Sequence, residues 1–245
     1  MKTGLLAVTL LVFLLHSNSV SAQLHDEDSI SYQSALSHTL SVYYNQLGDQ
    51  SPLYNGSLYT NYKIVFREGS PYFLNDKYQN GSILYDGVLF KDIPLLYDDL
   101  RRLIVTKNQA FQLQLINELI GSFTISDHHF IYLSFDSLNK GNLITGFYEL
   151  LYSGHTQILK LTSKKTKEIL EANEGVINLI DTHYTYFIKI GNTYTVVKSK
   201  NEVIDLLTKH KKEIQHFIKK NKLKFSDDSE NSLIMIAGFY DQLEN

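Results

Sequence analysis

Three two-residue turn signals constrain this chain more than any other feature. Asn80-Gly81, Asp86-Gly87 and Gly191-Asn192 each stand between short runs rich in β-branched, aromatic and Leu residues. A two-residue turn with positive φ folds the chain straight back on itself, so runs joined this way pair antiparallel. The first two signals lie six residues apart, which predicts very short strands at Ser82–Tyr85 and Val88–Phe90. Ile93–Tyr97 reads as a further strand, and Pro94 within it predicts an edge position or a bulge, because proline cannot donate to the ladder. Leu103–Thr106, Phe123–Ile125, Phe130–Phe135, Phe147–Tyr152 and Gln157–Leu161 continue in the same manner, and Tyr184–Ile190 with Thr193–Lys198 forms the clearest hairpin. Residues 111–120 fit helix or strand, and the polar stretch 162–182 carries no clear period.

Helices are predicted at both ends. Over residues 29–47, Tyr32, Leu36, Leu40, Tyr43, Tyr44 and Leu47 recur at three- and four-residue spacing, acids precede the first turn, and Gly48 follows the last. Ser199 with Glu202 forms a capping box ahead of an apolar stripe running from Val203 to Ile218, and a last helix is predicted from Asp227 to Leu243 with Ser226 as its cap. The fold class is therefore α+β: an N-terminal helix, a mainly antiparallel meander in a curved sheet or half-barrel, and C-terminal helices packed on it. No repeat or linker divides the chain, so residues 23–198 read as the β-rich body and 199–245 as a helical segment of the same domain.

Residues 1–22 have the three-part layout of a signal peptide: Lys2, an apolar run from Leu5 to Leu15, and the small residues of Val20-Ser21-Ala22. The run falls short of the roughly 20 apolar residues a spanning helix needs. Cleavage after Ala22 of a 245-residue chain leaves 223, beginning at Gln23, with no later segment suited to spanning a bilayer as a helix. Cysteine is absent, which excludes disulfides, thiolate chemistry and Cys-based zinc sites. Loss of Lys2 leaves 22 basic against 26 acidic residues, a balance that disfavours a nucleic-acid partner. The charge is uneven: Gln23–Leu100 holds 10 acids and 4 bases, Lys160–Lys224 holds 14 bases and 7 acids. Tyrosine stands out, with 17 copies and no Trp. Its apolar ring and polar tip suit both half-buried strands and binding surfaces.

Chemistry-bearing residues are sparse. Asp98 and Asp99 at a strand end, with Glu149, could supply paired carboxylates for acid–base work, although Asp at such a position reads first as a turn former. The histidines 128, 129, 155 and 183 show no metal-ligand spacing. The nucleophile elbow and the phosphate-cradling glycine loops are missing. No catalytic residue, metal or cofactor is expected; Tyr97, Asp98, Tyr148, Glu149 and His155 are the binding candidates. Asn55-Gly56-Ser57 and Asn80-Gly81-Ser82 match the glycosylation pattern, and the Lys-rich segment 200–222 fits packing on a sheet or lying on a membrane surface.

Tyr54-Asn55-Gly56-Ser57-Leu58-Tyr59, Gly81-Ser82-Ile83-Leu84-Tyr85-Asp86-Gly87, Pro94-Leu95-Leu96-Tyr97-Asp98 and Phe239-Tyr240-Asp241-Gln242-Leu243 resemble stretches of a set of uncharacterised exported bacterial proteins. The resemblance implies a Gram-negative envelope or secreted location, in the periplasm, at the outer membrane or outside the cell, and no activity. Together these readings predict a non-enzymatic exported protein that binds an envelope protein, polysaccharide or lipid through a tyrosine-rich β surface. A carrier of an apolar ligand in the curved sheet is the first alternative, and a hydrolase using Asp98, Asp99 or Glu149 the second.

Overall fold

The computed structural model describes residues 26–134 and 143–244. The expected leader lies outside the described residues. The chain divides into two compact units, Met1–Ser37 and His38–Asn245.

Twelve strands form one open, curved and mostly antiparallel sheet. They are β1 (Ser57–Leu58), β2 (Phe66–Glu68), β3 (Gln79–Tyr85), β4 (Val88–Asp98), β5 (Leu103–Lys107), β6 (Gln112–Gln114), β7 (Ile120–Ile125), β8 (His128–Leu133), β9 (Gly146–Ser153), β10 (Thr156–Glu171), β11 (Gly175–Ile190) and β12 (Thr193–Val197). Their spatial order is β1-β6-β5-β4-β3-β7-β8-β9-β10-β11-β12, and β2 joins separately, parallel to β11. Four α-helices accompany the sheet among the described residues: α1 (Asp26–Leu47), α2 (Lys200–Leu206), α3 (Lys211–Lys220) and α4 (Ser229–Glu244).

Asp86-Gly87 is the tight turn its sequence demands, with φ of 48° and 74°, and it joins β3 to β4. Asn80-Gly81 is not a turn. Both residues lie inside β3, where Gly81 faces β7 so closely that a Cβ would stand 2.2 Å from the Thr124 carbonyl oxygen. Glycine is there for close approach of two backbones. The two short strands predicted at 88–90 and 93–97 are one, β4, interrupted at Asp92 (φ 56°) beside a register shift between Gly81 and Ile83. Pro94 therefore belongs to a bulged central strand. The polar stretch 162–182 is the outer half of the β10–β11 hairpin, paired without interruption from Thr156↔Ile190 to Glu171↔Gly175.

One sheet face carries two apolar cores. The first gathers Ile83, Phe90, Leu95, Tyr97, Phe123, Phe130 and Phe147, with Leu40 and Tyr44 of α1 packed against it. Its rings interlock: Phe123 stacks on Phe130 at 4.7 Å, and Tyr97 meets Phe123, Phe130 and Phe147 edge-on. Tyr43, part of the predicted apolar stripe, is exposed. The second core joins Ile158 and Ile188 of the sheet to Val203, Ile214, Leu233 and Ile236 of the C-terminal helices. The Lys-rich helix predicted over 200–222 is two helices, separated by a 3-10 turn at Thr208–His210. The last helix starts at Ser229, and Asp228 rather than Ser226 accepts from a first-turn N–H, that of Asn231 at 3.0 Å. The opposite face holds a third core around Tyr148, Leu159 and Phe187, and a fourth, small one at Tyr59, Leu96 and Val105.

Candidate binding groove and buried charges

Between β1 and β3 the chain makes a long excursion, residues 59–78, that folds over the face of β4–β6 bearing Leu96, Val105 and Gln112. Backbone bonds fasten it to the end of β4: the Phe73 N–H donates to the Tyr97 carbonyl at 2.9 Å, and the Leu100 N–H to the Pro71 carbonyl at 2.9 Å. Gly69 (φ 78°) lies against β11, where a Cβ would meet the Ile180 carbonyl oxygen at 2.7 Å. Only glycine fits both that conformation and that approach.

Asp98 fixes the excursion from beneath. Its side chain is fully buried. It accepts from the Tyr59 hydroxyl at 2.7 Å, from the Tyr62 hydroxyl at 2.7 and 3.0 Å, and from the Arg101 backbone N–H at 3.0 Å. The Arg101 guanidinium stands 3.7 Å from it and lies over the Tyr62 ring at 3.9 Å. Burial, then the bond to Asp98 for Tyr62 and the bonds to Tyr72 and Asp98 for Tyr59, holds both hydroxyls far above the ordinary tyrosine range. They are permanent donors, and a buried carboxylate fed by such donors is a rigid anchor.

The result is a groove of about 660 Å³ between the excursion and the sheet. Tyr62, Phe66, Tyr72 and Tyr78 contribute rings to it; Asn61, Asn75, Asp76 and Gln112 contribute polar groups. Tyr62 meets Phe66 and Tyr72 edge-on at 5.5 and 6.0 Å. The Tyr78 hydroxyl donates to Gln112 Oε1 at 2.9 Å, and burial pushes that hydroxyl up to about 12.

A second set of charges lies on the opposite sheet face, between the two large cores. Glu149, 3 % exposed, is paired across the ladder with Lys160. The Lys160 ammonium stands 2.6 Å from Glu149 and 2.6 Å from Glu230 of α4, and His128 Nδ1 donates to the other Glu149 oxygen. Burial pulls the Lys160 ammonium down, but the two carboxylates outweigh it and hold it above its ordinary value. On the same face of β10, Lys164 donates to the carbonyls of Ser70 and Tyr72 at 3.0 and 2.7 Å and stands 3.4 Å from Asp99. Asp99 is 1 % exposed, and neither of its oxygens accepts a well-formed hydrogen bond among the described residues. Burial raises its carboxyl and lowers the Lys164 ammonium.

The five binding candidates are dispersed. Tyr97 is a core residue, its hydroxyl raised by burial and by Asp99. Asp98 supports the groove from beneath. Tyr148 is buried in the third core, its hydroxyl donating to the Ile144 carbonyl at 2.7 Å. Glu149 belongs to the charge cluster, and His155 is exposed at the β9–β10 turn. The groove residues Tyr62, Tyr72, Tyr78 and Gln112 were not among the candidates. Their one signal was the density of tyrosine between residues 54 and 78, which strand propensity explained equally well.

No protein-family model matches the chain, nor does any curated protein or solved structure.

Proposed function

We propose that this chain is an exported, non-catalytic binding protein of the bacterial envelope or exterior, and that its partner seats in the tyrosine-lined groove of residues 61–78. The observation that carries this reading is the support of the groove. A fully buried carboxylate holds the groove tyrosine Tyr62 together with the buried Tyr59, and a glycine pressed on β11 sets the wall. Rings fixed before the partner arrives lose little entropy on binding, which is what a recognition surface needs. The groove's volume falls within the roughly 300–1,000 Å³ of small-ligand sites.

The rival readings fare worse. The sheet face that would hold an apolar cargo is filled by its own aromatic rings and by the helices. The carboxylates a hydrolase would use are committed elsewhere: Asp98 to Tyr59 and Tyr62, Glu149 to His128 and Lys160, and Asp99 is sealed beside Lys164. The half-barrel geometry belongs to this proposal too. Among the described residues no helix is long and apolar enough to cross a membrane.

The chain has no Trp, so a single Ile64→Trp change places one reporter in the groove. Titration of the mature protein with separated polysaccharide, peptide and lipid fractions of a Gram-negative envelope should shift that emission saturably with one class and yield no product. A reporter silent to all three classes, or substrate turnover that stops in Glu149→Gln, would refute the reading. Export is checked separately, by N-terminal sequencing of the protein recovered outside the cytoplasm, which should begin at Gln23.

A further inference from the structure

We infer that the occupant of the groove is a neutral, hydroxyl-rich glycan strand. This rests on the groove being the binding site and goes on to name the chemistry it selects. Charge is the first discriminator. The lining brings one carboxylate, Asp76, and no Lys, Arg or His. Three cations beside it are engaged: the Arg101 guanidinium lies on the Tyr62 ring and donates to the Thr60 carbonyl at 2.8 Å, Lys107 lies over the Tyr78 ring at 4.8 Å, and Lys164 donates to the Ser70 and Tyr72 carbonyls. Recognition of a phosphate, a uronate or an anionic lipid headgroup needs a cation free to pair with it.

Ring geometry is the second. Tyr62 stands at 75° to both Phe66 and Tyr72. Rings set nearly at right angles cannot sandwich one planar base, but they offer separate apolar platforms to successive units of a chain. A pyranose presents such a unit, with C–H groups on its faces and hydroxyls around its rim.

Hydrogen-bond inventory is the third. The Asn75 Oδ1 accepts the Lys77 N–H at 2.9 Å, and the Gln112 Oε1 accepts from Tyr78. Each amide keeps its NH₂ to donate, and Asp76 brings acceptor oxygens. Donors and acceptors side by side match sugar hydroxyls, which do both. A proline-rich peptide offers carbonyl acceptors and few donors, so it would engage the two NH₂ groups and leave the exposed Asp76 oxygens to solvent.

The test is isothermal titration of the mature protein with linear neutral oligosaccharides (β-1,4-glucan, xylan, α-1,4-glucan and β-1,3-glucan fragments), a hexuronate oligomer, a proline-rich peptide and anionic vesicles. At least one neutral oligosaccharide should bind, with an affinity that changes less than twofold between 50 and 500 mM salt. Tyr72→Ala should weaken it at least tenfold. Asp76→Lys, an exposed change that leaves the fold alone, should weaken it at least fivefold. Failure of every neutral oligosaccharide overturns the inference. If the Ile64→Trp reporter then answers to the peptide, hexuronate or vesicles, the groove stands and only its chemistry was misread. Glycan binding indifferent to both Tyr72→Ala and Asp76→Lys would overturn the groove itself.

Discussion

The neighbouring buried acids Asp98 and Asp99 do two different jobs, and the two can be told apart by substitution. Asp98 organises hydroxyl donors. Hydrogen bonds to a charged group contribute about 1.5–3 kcal/mol each, so Tyr62→Phe should cost about that much in denaturant unfolding. Asp98→Ala strands two hydroxyls and Arg101 and should cost roughly 3–5 kcal/mol. Asp99 and Lys164 oppose the fold instead. Because burial raises the Asp99 carboxyl, the native state holds that proton more tightly than the unfolded chain, so its contribution to stability improves as pH falls and worsens as pH rises through the folded-state value. Lys164 is lowered, so its contribution is best above its ordinary value and declines as pH falls. Replacing Asp99 alone by Leu should cost roughly 3–5 kcal/mol; adding Lys164→Met removes the stranded ammonium and should recover part of that, offset by about 1–3 kcal/mol for each of the Ser70 and Tyr72 carbonyls it leaves unpaired. Between pH 7 and 4, wild type should gain stability relative to Asp99→Asn; a gain in the opposite direction would contradict the assignment. Sequence exposed these acids but not their roles. Asp98-Asp99 reads as a turn because nothing in the local pattern announces Tyr59, Tyr62 or Lys164, which arrive from 36 or more residues away.

Among the elements, legibility followed locality. The Asp86-Gly87 turn, the Ser199 cap and the β11–β12 hairpin were readable because their causes lie within a few residues. Gly81 was misread because its reason is a neighbouring backbone on β7, invisible to local sequence. The long β10–β11 hairpin was hidden by its own composition. Lys, Thr and Ser on a half-exposed ladder erase the apolar alternation by which strands are recognised. The groove-forming excursion has the same character, since it is held by contacts to β4 and β11 rather than by a period of its own. Its hinge on β11 gives a direct test. Gly69→Ala puts a Cβ at 2.7 Å from a carbonyl and an L-residue at φ 78°, so it should destabilise by more than about 1 kcal/mol and weaken ligand binding together with stability. By contrast, the exposed ion pairs of Arg67 with Glu171 and Glu174 should contribute under about 1 kcal/mol, and Arg67→Ala should leave binding intact.

For the molecule as a whole, the sheet is held from its C-terminal end. Asp241 of α4 accepts the Thr156 N–H at 3.0 Å and the Tyr152 hydroxyl at 3.0 Å, tying the last helix to the β9–β10 turn. Leu233, 2 % exposed, fills the core beneath it. Leu233→Ala should cost about 2–5 kcal/mol, and Asp241→Ala about 1–3 kcal/mol for the donors it strands. At roughly 2–4 °C per kcal/mol for a chain of this size, both shifts are readable in thermal melts. Neither should alter affinity at temperatures where the fold is intact, because neither residue lines the groove. That separation between a helix-braced core and a tyrosine-lined groove is the central claim. Its most direct measurement is NMR of the protein labelled on the tyrosine rings, titrated with the oligosaccharide that binds. Of the 17 tyrosines, the account predicts shifts concentrated at Tyr62, Tyr72 and Tyr78. Shifts centred on Tyr43 or Tyr184, both exposed elsewhere, with the groove tyrosines silent, would contradict it.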